Sequence, residues 1–360
     1  MKILSAVPSV APDLTGAWNL SDLTSLPSNG LKVFSCFHCG GGSSMGYKLA
    51  GCDVLGGVEI DPKIMALYQL NHHPEHSFLM PVSEFNQLPN DSIPDELFNL
   101  DILDGSPPCS VFSTAGCREK KWGSEHAFRE GQAVQRLDDL FLDFIDTAKK
   151  LKPKVVVAEN VKGLIIGKAK GYVKEIFKAF ADTGYDCQLF LLNAAKMGVP
   201  QRRERTFFLA RRKDLNLSPI KLNFDEPIIS IREAISAVQS ADKITWLSLK
   251  DRKLWERVKP GQSLGKAHPK GYRFGVKKSN PYMPAPTATA NDAPAHWLEP
   301  RRLTTPELIR IQSFPDDYNF DKLDPAYVCG MSVPPFMIQR LAKQVAKQWL
   351  LPTEEKREAV

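Results

Sequence analysis

A cysteine that follows two prolines at the end of a short apolar run has the clearest chemical potential in this sequence. The run at residues 100–103 predicts a buried strand, and Pro107 and Pro108 restrict the backbone that leads to Cys109. In open α/β sheets, ligands bind beyond the carboxyl ends of the strands. Cys109 is therefore a candidate nucleophile. Taken alone, the stretch also fits an ordinary half-buried cysteine after a turn.

Two further groups of polar residues lie next to predicted strands. Glu159 follows the apolar run of a strand that begins near residue 154, and this run suits a strand covered on both faces. Residues 201–205 contain three arginines and lead directly into another apolar strand. Taken singly, such a glutamate often caps a helix, and an arginine run is usually surface charge. Together with Cys109, the groups combine a nucleophile, a carboxylate and guanidinium groups in one chain.

A glycine-rich turn between a predicted strand and a predicted helix allows a ligand to approach the backbone. The turn contains Gly40, Gly41 and Gly42, and the next predicted strand ends at Glu59. A carboxylate there can accept hydrogen bonds from both ribose hydroxyls of S-adenosylmethionine or of NAD. A nicotinamide-binding loop has the spacing Gly-x-Gly-x-x-Gly, and here Gly46 is one residue out of step.

In their order along the chain, these blocks resemble the signature motifs of DNA cytosine-5 methyltransferases. The resemblance covers roughly residues 31–350 except for a stretch near 220–300, and it is strongest to members carried by phages and mobile elements. The matching blocks are residues 33–46 (cofactor loop), 59–61 (ribose-binding strand end), Pro107-Pro108-Cys109, Glu159-Asn160-Val161, Gln201-x-Arg203-x-Arg205, 302–316 (ninth block) and Gly330-Met331-Ser332-Val333-Pro334-Pro335 (last block).

The resemblance implies an enzyme that moves a methyl group from S-adenosylmethionine to carbon 5 of a flipped cytosine in a specific site of double-stranded DNA. Cys109 would attack carbon 6, and Glu159 would hydrogen-bond ring nitrogen 3 and the exocyclic amine. Arg203 and Arg205 would hold the base carbonyl and a phosphate. The residues implied in cofactor binding are Phe37, which would pack on adenine, Gly40, Gly41, Gly42, Glu59, Ile60, Pro107, Ser332 and Val333.

Four positions depart from the family pattern and bear on the contacts to the cofactor. The family usually has Asp where this chain has Ser35, Gly where it has Cys39, Asp near Pro81 and Asn where it has Met331. Cys36 and Cys39 have the spacing of a zinc half-site, but no second pair follows them, and we expect no metal.

The net charge of +6 permits nucleic-acid binding, although contacts to phosphates come from local clusters. Residues 266–278 interleave basic and aromatic residues with glycines, which suits a loop that grips the DNA backbone. Other basic clusters occur at 211–213 and 301–302, and a solvated surface is the usual explanation for any one of them. The candidate DNA-binding residues are Gln201, Arg118, Lys120, Lys121, Lys270, Arg273 and Lys277.

Composition fits a soluble globular protein, since 43% of the 360 residues are hydrophobic and no run approaches the ~18 apolar residues of a membrane span. The N-terminus lacks a secretory signal pattern, and an odd number of scattered cysteines, seven, indicates a reducing cytoplasm. We expect a cytoplasmic monomer that binds double-stranded DNA and no membrane. Whether a separate restriction endonuclease accompanies it stays open.

Strands and helices alternate from residue 31 to about 215, which predicts an α/β fold with a parallel, Rossmann-like sheet and helices on both faces. The resemblance identifies this fold as that of class I methyltransferases. The predicted parts are an N-terminal extension (1–30), a catalytic domain (31–219), a small irregular target-recognition domain (220–300), a return to the catalytic domain (301–350) and a tail (351–360).

Other functions stay open beside the leading one. An RNA methyltransferase on the same scaffold would carry Cys-Phe-Thr in its substrate region, and residues 220–300 lack it. A catalytically inactive DNA-binding homologue would have lost Cys109 or Glu159, and both are present. An NAD-dependent enzyme is disfavoured by the glycine spacing.

Overall fold

The computed structural model describes residues 17–108, 125–126, 135–136, 139–166, 170–238, 243–290 and 292–351. Among these residues, no helix is long and apolar enough to cross a membrane. The strands are β1 (Lys32–Cys36), β2 (Asp53–Glu59), β3 (His76–Leu79), β4 (Ile102–Gly105), β5 (Glu125–His126), β6 (Gln135–Arg136), β7 (Val155–Val161), β8 (Tyr185–Asn193) and β9 (Glu204–Arg212). The helices are α1 (Gly42–Leu49), α2 (Pro62–His72), α3 (Val82–Gln87), α4 (Leu140–Leu151), α5 (Lys170–Asp182), α6 (Ile231–Ala234), α7 (Leu249–Arg257), α8 (Thr305–Gln312), α9 (Pro325–Met331) and α10 (Pro335–Val345).

Seven strands form one sheet in the order β3-β2-β1-β4-β7-β9-β8. The strands from β3 to β7 in this order are parallel, whereas β9 is antiparallel to both of its neighbours. The predicted α/β sheet is confirmed, but the prediction that it is wholly parallel is wrong at β9. The reason is the short connection at residues 194–203, because a parallel pair needs a longer crossover, usually a helix.

Apolar side chains cover both faces of the sheet because successive residues of a strand point to opposite faces. Val33 and Ile102 belong to the cluster that includes residues of α1 and α10. Phe34 and Leu103, each one residue further on, belong to the cluster with residues of α4 and α5. Each fully buried side chain of this size contributes about 1.5–3 kcal/mol of transfer free energy. The sheet is therefore held rigidly between two helical layers.

Local capping explains why the helices beside the sheet begin where they do. Asp61 accepts hydrogen bonds from the backbone N–H groups of Lys63 and Ile64, and Pro62 occupies the first turn of α2. Thr304 and Glu307 form a reciprocal capping box at α8. Helix α10 begins at Pro335, the second residue of a Pro-Pro pair, which suits the first turn of a helix.

The described part of the N-terminal segment packs on the C-terminal helices. Trp18 is buried, and its indole N–H donates to the carbonyl oxygen of Ser313 at 3.1 Å. The backbone N–H of Asp316 donates to the carbonyl oxygen of Trp18 at 2.8 Å. Residues from both ends of the chain thus share one core with the sheet.

Two further apolar clusters lie in residues 229–326, beside the cores of the sheet. One contains Ile231, Ala285 and Leu308. The other contains Leu247, Trp255 and other side chains packed around α7. The sequence pattern did not predict α7, because this helix buries only Leu254, Trp255 and Asp251 and is otherwise polar.

Candidate functional site

A cavity opens at the carboxyl ends of β1, β2 and β4, where α/β sheets bind ligands. Five of the predicted cofactor residues line it: Phe37, Glu59, Ile60, Ser332 and Val333. The lining also includes side chains that sequence reasoning did not assign, among them His38, Ser43 and Tyr327. The predicted residues thus come together although they lie almost 300 positions apart along the chain.

Glu59 is held at the cavity wall by backbone groups. One carboxylate oxygen accepts from the N–H groups of Ile60 at 2.9 Å and Asp61 at 3.1 Å. Burial raises the pKa of Glu59 to about 7, and these backbone hydrogen bonds oppose the rise. A carboxylate held in this way is ready to accept hydrogen bonds from hydroxyl groups of a ligand.

The glycine turn serves close packing rather than direct lining of the cavity. Gly41 has a φ of 74°, in the left-handed region that favours glycine. A Cβ atom on Gly42 would overlap the carbonyl oxygen of Val333, and one on Gly40 would overlap the side chain of Val328. Gly40 and Gly42 let this turn approach the segment that carries Ser332 and Val333, and Gly41 lets it approach the ring of His72. None of the three glycines is among the lining residues.

Glu159 and Arg205 form an ion pair at the ends of neighbouring strands. Because β7 and β9 are antiparallel, Val161 lies opposite Arg205, and Glu159 lies opposite Phe207. The Nε atom of Arg205 is 2.8 Å from Oε1 of Glu159, and both side chains are largely buried. The pair therefore presents a carboxylate whose orientation is fixed by a guanidinium group.

Arg203 and Gln201 point into the protein interior instead. Arg203 donates to the carbonyl oxygens of Ala288 at 3.0 Å and Gly330 at 2.9 Å, and it is only 1% exposed. Gln201 is fully buried and accepts from the N–H of Ala288 at 3.1 Å. This burial contradicts a DNA contact by Gln201, because its side chain would have to break these bonds to reach DNA.

Gln201 also connects the arginine block to the cavity. Its side-chain amide donates to Oε1 of Gln312 at 2.7 Å, and the amide of Gln312 donates to the carbonyl oxygen of Ser332 at 2.8 Å. Ser332 lines the cavity. Sequence blocks that lie far apart are therefore joined by buried amides.

The backbone before Cys109 is tied to the strand that carries Glu159. The side-chain amide of Asn160 donates to the carbonyl oxygen of Pro107 at 3.2 Å, so Pro107 is buried outside the cavity lining. Pro108 and Ser106 do line the cavity. Cys109 itself lies outside the described residues, as do Arg118, Lys120 and Lys121.

Asp104 is a buried carboxylate near the site that sequence reasoning missed. It accepts hydrogen bonds from the hydroxyls of Ser35 at 2.8 Å and Tyr47 at 3.1 Å. Burial raises the pKa of Asp104 to about 7. The signal that could have found it is an acidic residue inside a run that otherwise reads as an apolar strand.

A stack of aromatic rings lies behind the glycine turn. The ring of Tyr68 lies between those of His38 and His72, with centroid distances of 3.7 and 4.5 Å. Burial lowers the pKa of His38 to about 4, so this imidazole is neutral at physiological pH. The stack supports the cavity wall with uncharged rings.

Part of the predicted DNA-binding loop is exposed as expected. Lys270, Arg273 and Lys277 lie at the surface, and Arg273 also pairs with Asp251 at 3.0 Å. Lys278 instead points inward, with its ammonium 3.6 Å from the ring centroid of Trp255.

Two other basic clusters face away from any ligand in the cavity. Arg301 is buried in an ion pair with Glu307 at 2.7 Å, and Arg302 pairs with Asp292 at 2.7 Å. Residues 211–213 lie at the amino end of β7, away from the strand ends that form the cavity, because Arg211 is opposite Val155, the first residue of β7. These clusters stabilise the fold.

Comparison with known proteins gives consistent results across most of the chain. The sequence model of a family described as C-5 cytosine-specific DNA methylase matches residues 31–347. The type II methyltransferase M.NgoPII of Neisseria gonorrhoeae is 28% identical over 89% of this chain and 96% of its own length. The type II methyltransferase M.NgoFVII of the same organism is 30% identical over 91% of this chain and 89% of its own length.

The solved structures confirm the predicted fold class. A protein assigned as a DNA modification methyltransferase and encoded within an E. coli prophage has a TM-score of 0.69. It is 21% identical, and the match covers 88% of this chain and 98% of that one. The sheet with helices on both faces is therefore an architecture that this solved structure shares.

Proposed function

Because the chain belongs to the C-5 cytosine-specific DNA methylase family, we propose that it moves a methyl group from S-adenosylmethionine to carbon 5 of a flipped cytosine in double-stranded DNA. The observation that carries this proposal is the juxtaposition of two features. Glu159 is paired with Arg205, and the next residue, Asn160, donates to the carbonyl oxygen of Pro107, between the cavity-lining residues Ser106 and Pro108 and directly before Cys109.

The cavity fits the proposed cofactor through the chemistry of its lining. Phe37 offers an aromatic face for adenine, and Glu59 offers a carboxylate for the ribose hydroxyls. The segment with Ser332 and Val333 closes the opposite wall. When bound, S-adenosylmethionine supplies an electrophilic methyl group.

Glu159 and Arg205 would recognise the flipped base as a unit. A carboxyl group at the position of Glu159 would hydrogen-bond ring nitrogen 3 and the exocyclic amine, and would stabilise the electron density that develops on the ring. Arg205 would orient Glu159 through the ion pair and reach the base carbonyl with its remaining N–H groups. Arg203, predicted for the same role, is engaged with backbone carbonyls, and we assign it to positioning.

Cys109 would act as the nucleophile. Its thiolate adds to carbon 6 of cytosine, and the electron pair of the 5,6 double bond becomes available at carbon 5 for the incoming methyl group. Loss of the proton from carbon 5 then expels the thiolate and restores the aromatic ring. A stacked base cannot be reached in this way, so the cytosine must leave the duplex.

We propose that residues 220–300 recognise the DNA site and that residues 31–219 with 301–350 carry the chemistry. The exposed side chains of Lys270 and Lys277 support a phosphate-binding role for this loop. The names of the relatives, type II methyltransferases, support a role in a restriction-modification system. We propose a monomer in the cytoplasm, with any cognate endonuclease on a separate chain.

The test is a covalent trap. DNA containing 5-fluorocytosine at the target should become attached to the wild-type protein only when S-adenosylmethionine is present, because fluorine at carbon 5 cannot leave as a cation. Cys109→Ser should form almost no adduct but should still bind DNA. Bisulfite sequencing of DNA from cells that express the protein first identifies the target site. An adduct that survives in Cys109→Ser would overturn the assignment.

A further inference from the structure

Asp104 carries a buried charge that no basic side chain neutralises among the residues the structure describes. It is 2% exposed, and its partners there are the hydroxyls of Ser35 and Tyr47, with a further hydroxyl contribution from Ser43. Hydroxyl groups stabilise a carboxylate but leave its charge in place. Burial of an anion without a counter-ion is unfavourable, so this site gains from any cation nearby.

The position of Asp104 is explained by the neighbouring strand. Ser35 on β1 lies directly opposite Asp104 on β4, and the two side chains are hydrogen-bonded. Ser35 is one of the departures from the family pattern, which usually has Asp there. In this pair of neighbouring residues, the carboxylate is on Asp104 of β4 and the hydroxyl is on Ser35 of β1.

Asp104 does not line the cavity itself but lies directly behind residues that do. Two residues further along the chain, Ser106 lines the cavity, and Ser43, which interacts with Asp104, lines it as well. Glu159 is close enough for its charge to act on Asp104, but Glu159 is itself paired with Arg205. Of the two carboxylates Glu159 and Asp104, Asp104 is therefore the one without a basic partner among the described residues, while Glu59 at the cavity wall is held by backbone N–H groups.

We propose that Asp104 is a specificity-determining residue that makes the cavity favour the cationic cofactor over its neutral product. This inference rests on the proposed function. S-adenosylmethionine carries a positive sulfonium, whereas S-adenosylhomocysteine carries a neutral thioether. The attraction between Asp104 and the sulfonium is thus lost once the methyl group has been transferred, which favours exchange of product for fresh cofactor.

The size of the effect follows from Coulomb's law. At an effective dielectric constant of about 20 and a separation of about 10 Å, one unit charge changes the affinity for a cation about ten-fold. A neutral ligand of the same shape should show almost no change. The ratio of the affinities for the cationic and the neutral ligand therefore separates the effect of the charge from any effect of the substitution on packing.

The experiment compares three ligands by calorimetry with the full chain at pH 8.5, without DNA. The ligands are S-adenosylmethionine, sinefungin, which has an ammonium group in place of the sulfonium, and S-adenosylhomocysteine. In Asp104→Asn, the affinity for both cations should fall about ten-fold relative to S-adenosylhomocysteine. The matched control is Asp101→Asn, since Asp101 is also buried but pairs with Lys154 at the opposite end of the strand.

A swap variant tests whether a carboxylate at position 35 can take the place of the one at position 104. Ser35→Asp combined with Asp104→Ser should restore the wild-type affinity ratio, whereas Asp104→Ser alone should not. Should the single variants fail to fold, the swap is compared with wild type, and an equal ratio is expected. An unchanged ratio in folded Asp104→Asn, or a lowered ratio in the folded swap, overturns the inference. If wild type binds none of the ligands, the proposed function itself has failed.

Discussion

Replacing Arg203 by methionine should damage stability, while the same change at Arg205 should damage catalysis. Arg203 makes two hydrogen bonds to buried carbonyl oxygens and is 1% exposed. Each bond to a charged group contributes about 1.5–3 kcal/mol. Part of this is returned because the variant no longer buries a charge. We expect a net loss of about 2–4 kcal/mol in the free energy of unfolding.

This loss converts into a measurable shift in melting temperature. The unfolding entropy is about 2.1 cal/mol/K per residue. Dividing the expected free-energy loss by this entropy for 360 residues gives a fall in Tm of roughly 3–5 °C. The assay is scanning calorimetry of Arg203→Met and Arg205→Met, followed by the 5-fluorocytosine trap at a temperature where both are folded. Folded Arg203→Met should keep most of its trapping rate, and Arg205→Met should lose at least a hundred-fold, since one electrostatic contact of this kind is worth about 10²–10³ in rate.

The opposite pattern would refute the reasoning. If Arg203→Met melts within about 1 °C of wild type but forms no adduct, Arg203 reaches the base and its bonds to Ala288 and Gly330 are not maintained during the reaction. Arg203→Lys serves as the control, because it keeps the charge but cannot donate to two carbonyl oxygens in the same geometry.

Three further outcomes are expected. Glu159→Gln should retain DNA and cofactor affinity within about three-fold but lower kcat by about 10²-fold or more, as measured by single-turnover methylation, because its contact matters most in the transition state; near-normal turnover would exclude the proposed role. Without cofactor, Asp104→Asn should gain stability over wild type as pH rises from about 4 to about 8. The reason is that the folded-state pKa of Asp104, about 7, lies above the unfolded value, so folded wild type binds the proton more tightly than unfolded wild type. The free energy of unfolding of wild type therefore falls by on the order of 4 kcal/mol over this range. Chemical denaturation at pH 5 and pH 8 measures the stability difference between the variant and wild type, and an equal difference at both pH values would contradict the prediction. Lys270→Ala and Lys277→Ala should each reduce the slope of log affinity for DNA against log salt by about 1, in fluorescence anisotropy titrations; an unchanged slope would mean that the loop faces solvent.

The elements beside the cavity could be predicted from sequence because their signals are local. Helix α2 begins at Pro62, directly after the capping Asp61, and β2 ends at Glu59, as the sequence predicts for that strand. The polar helix α7 and the direction of β9 could not be predicted, since packing partners rather than local pattern determine them.

The residues of the site also fall into those that local sequence patterns predict and those that only the packing of the fold determines. Phe37 and Glu59 follow strands at the correct edge of the sheet, so their meeting in one cavity could be expected. Gln201 and Arg203 lie in a charged motif that carries no signal for the direction of a side chain, and only the fold shows that both point inward. The sequence shows Asp104 as an acidic residue in an otherwise apolar strand, but its partners Ser35 and Tyr47 lie on other elements, so only the fold shows what surrounds its carboxylate.

The segment around Ala285 limits how DNA specificity could be transplanted between relatives. The backbone of Ala285 exchanges hydrogen bonds with Pro200 and Arg202, and the N–H of Ala288 binds Gln201. This stretch, although it falls within residues 220–300, is thus hydrogen-bonded to residues 200–202, which belong to the part that we propose carries the chemistry. A donor module that replaced it would bring a foreign partner for the buried amide of Gln201. A hybrid protein should therefore keep residues 285–288 of the recipient, so that these hydrogen bonds to residues 200–202 are retained.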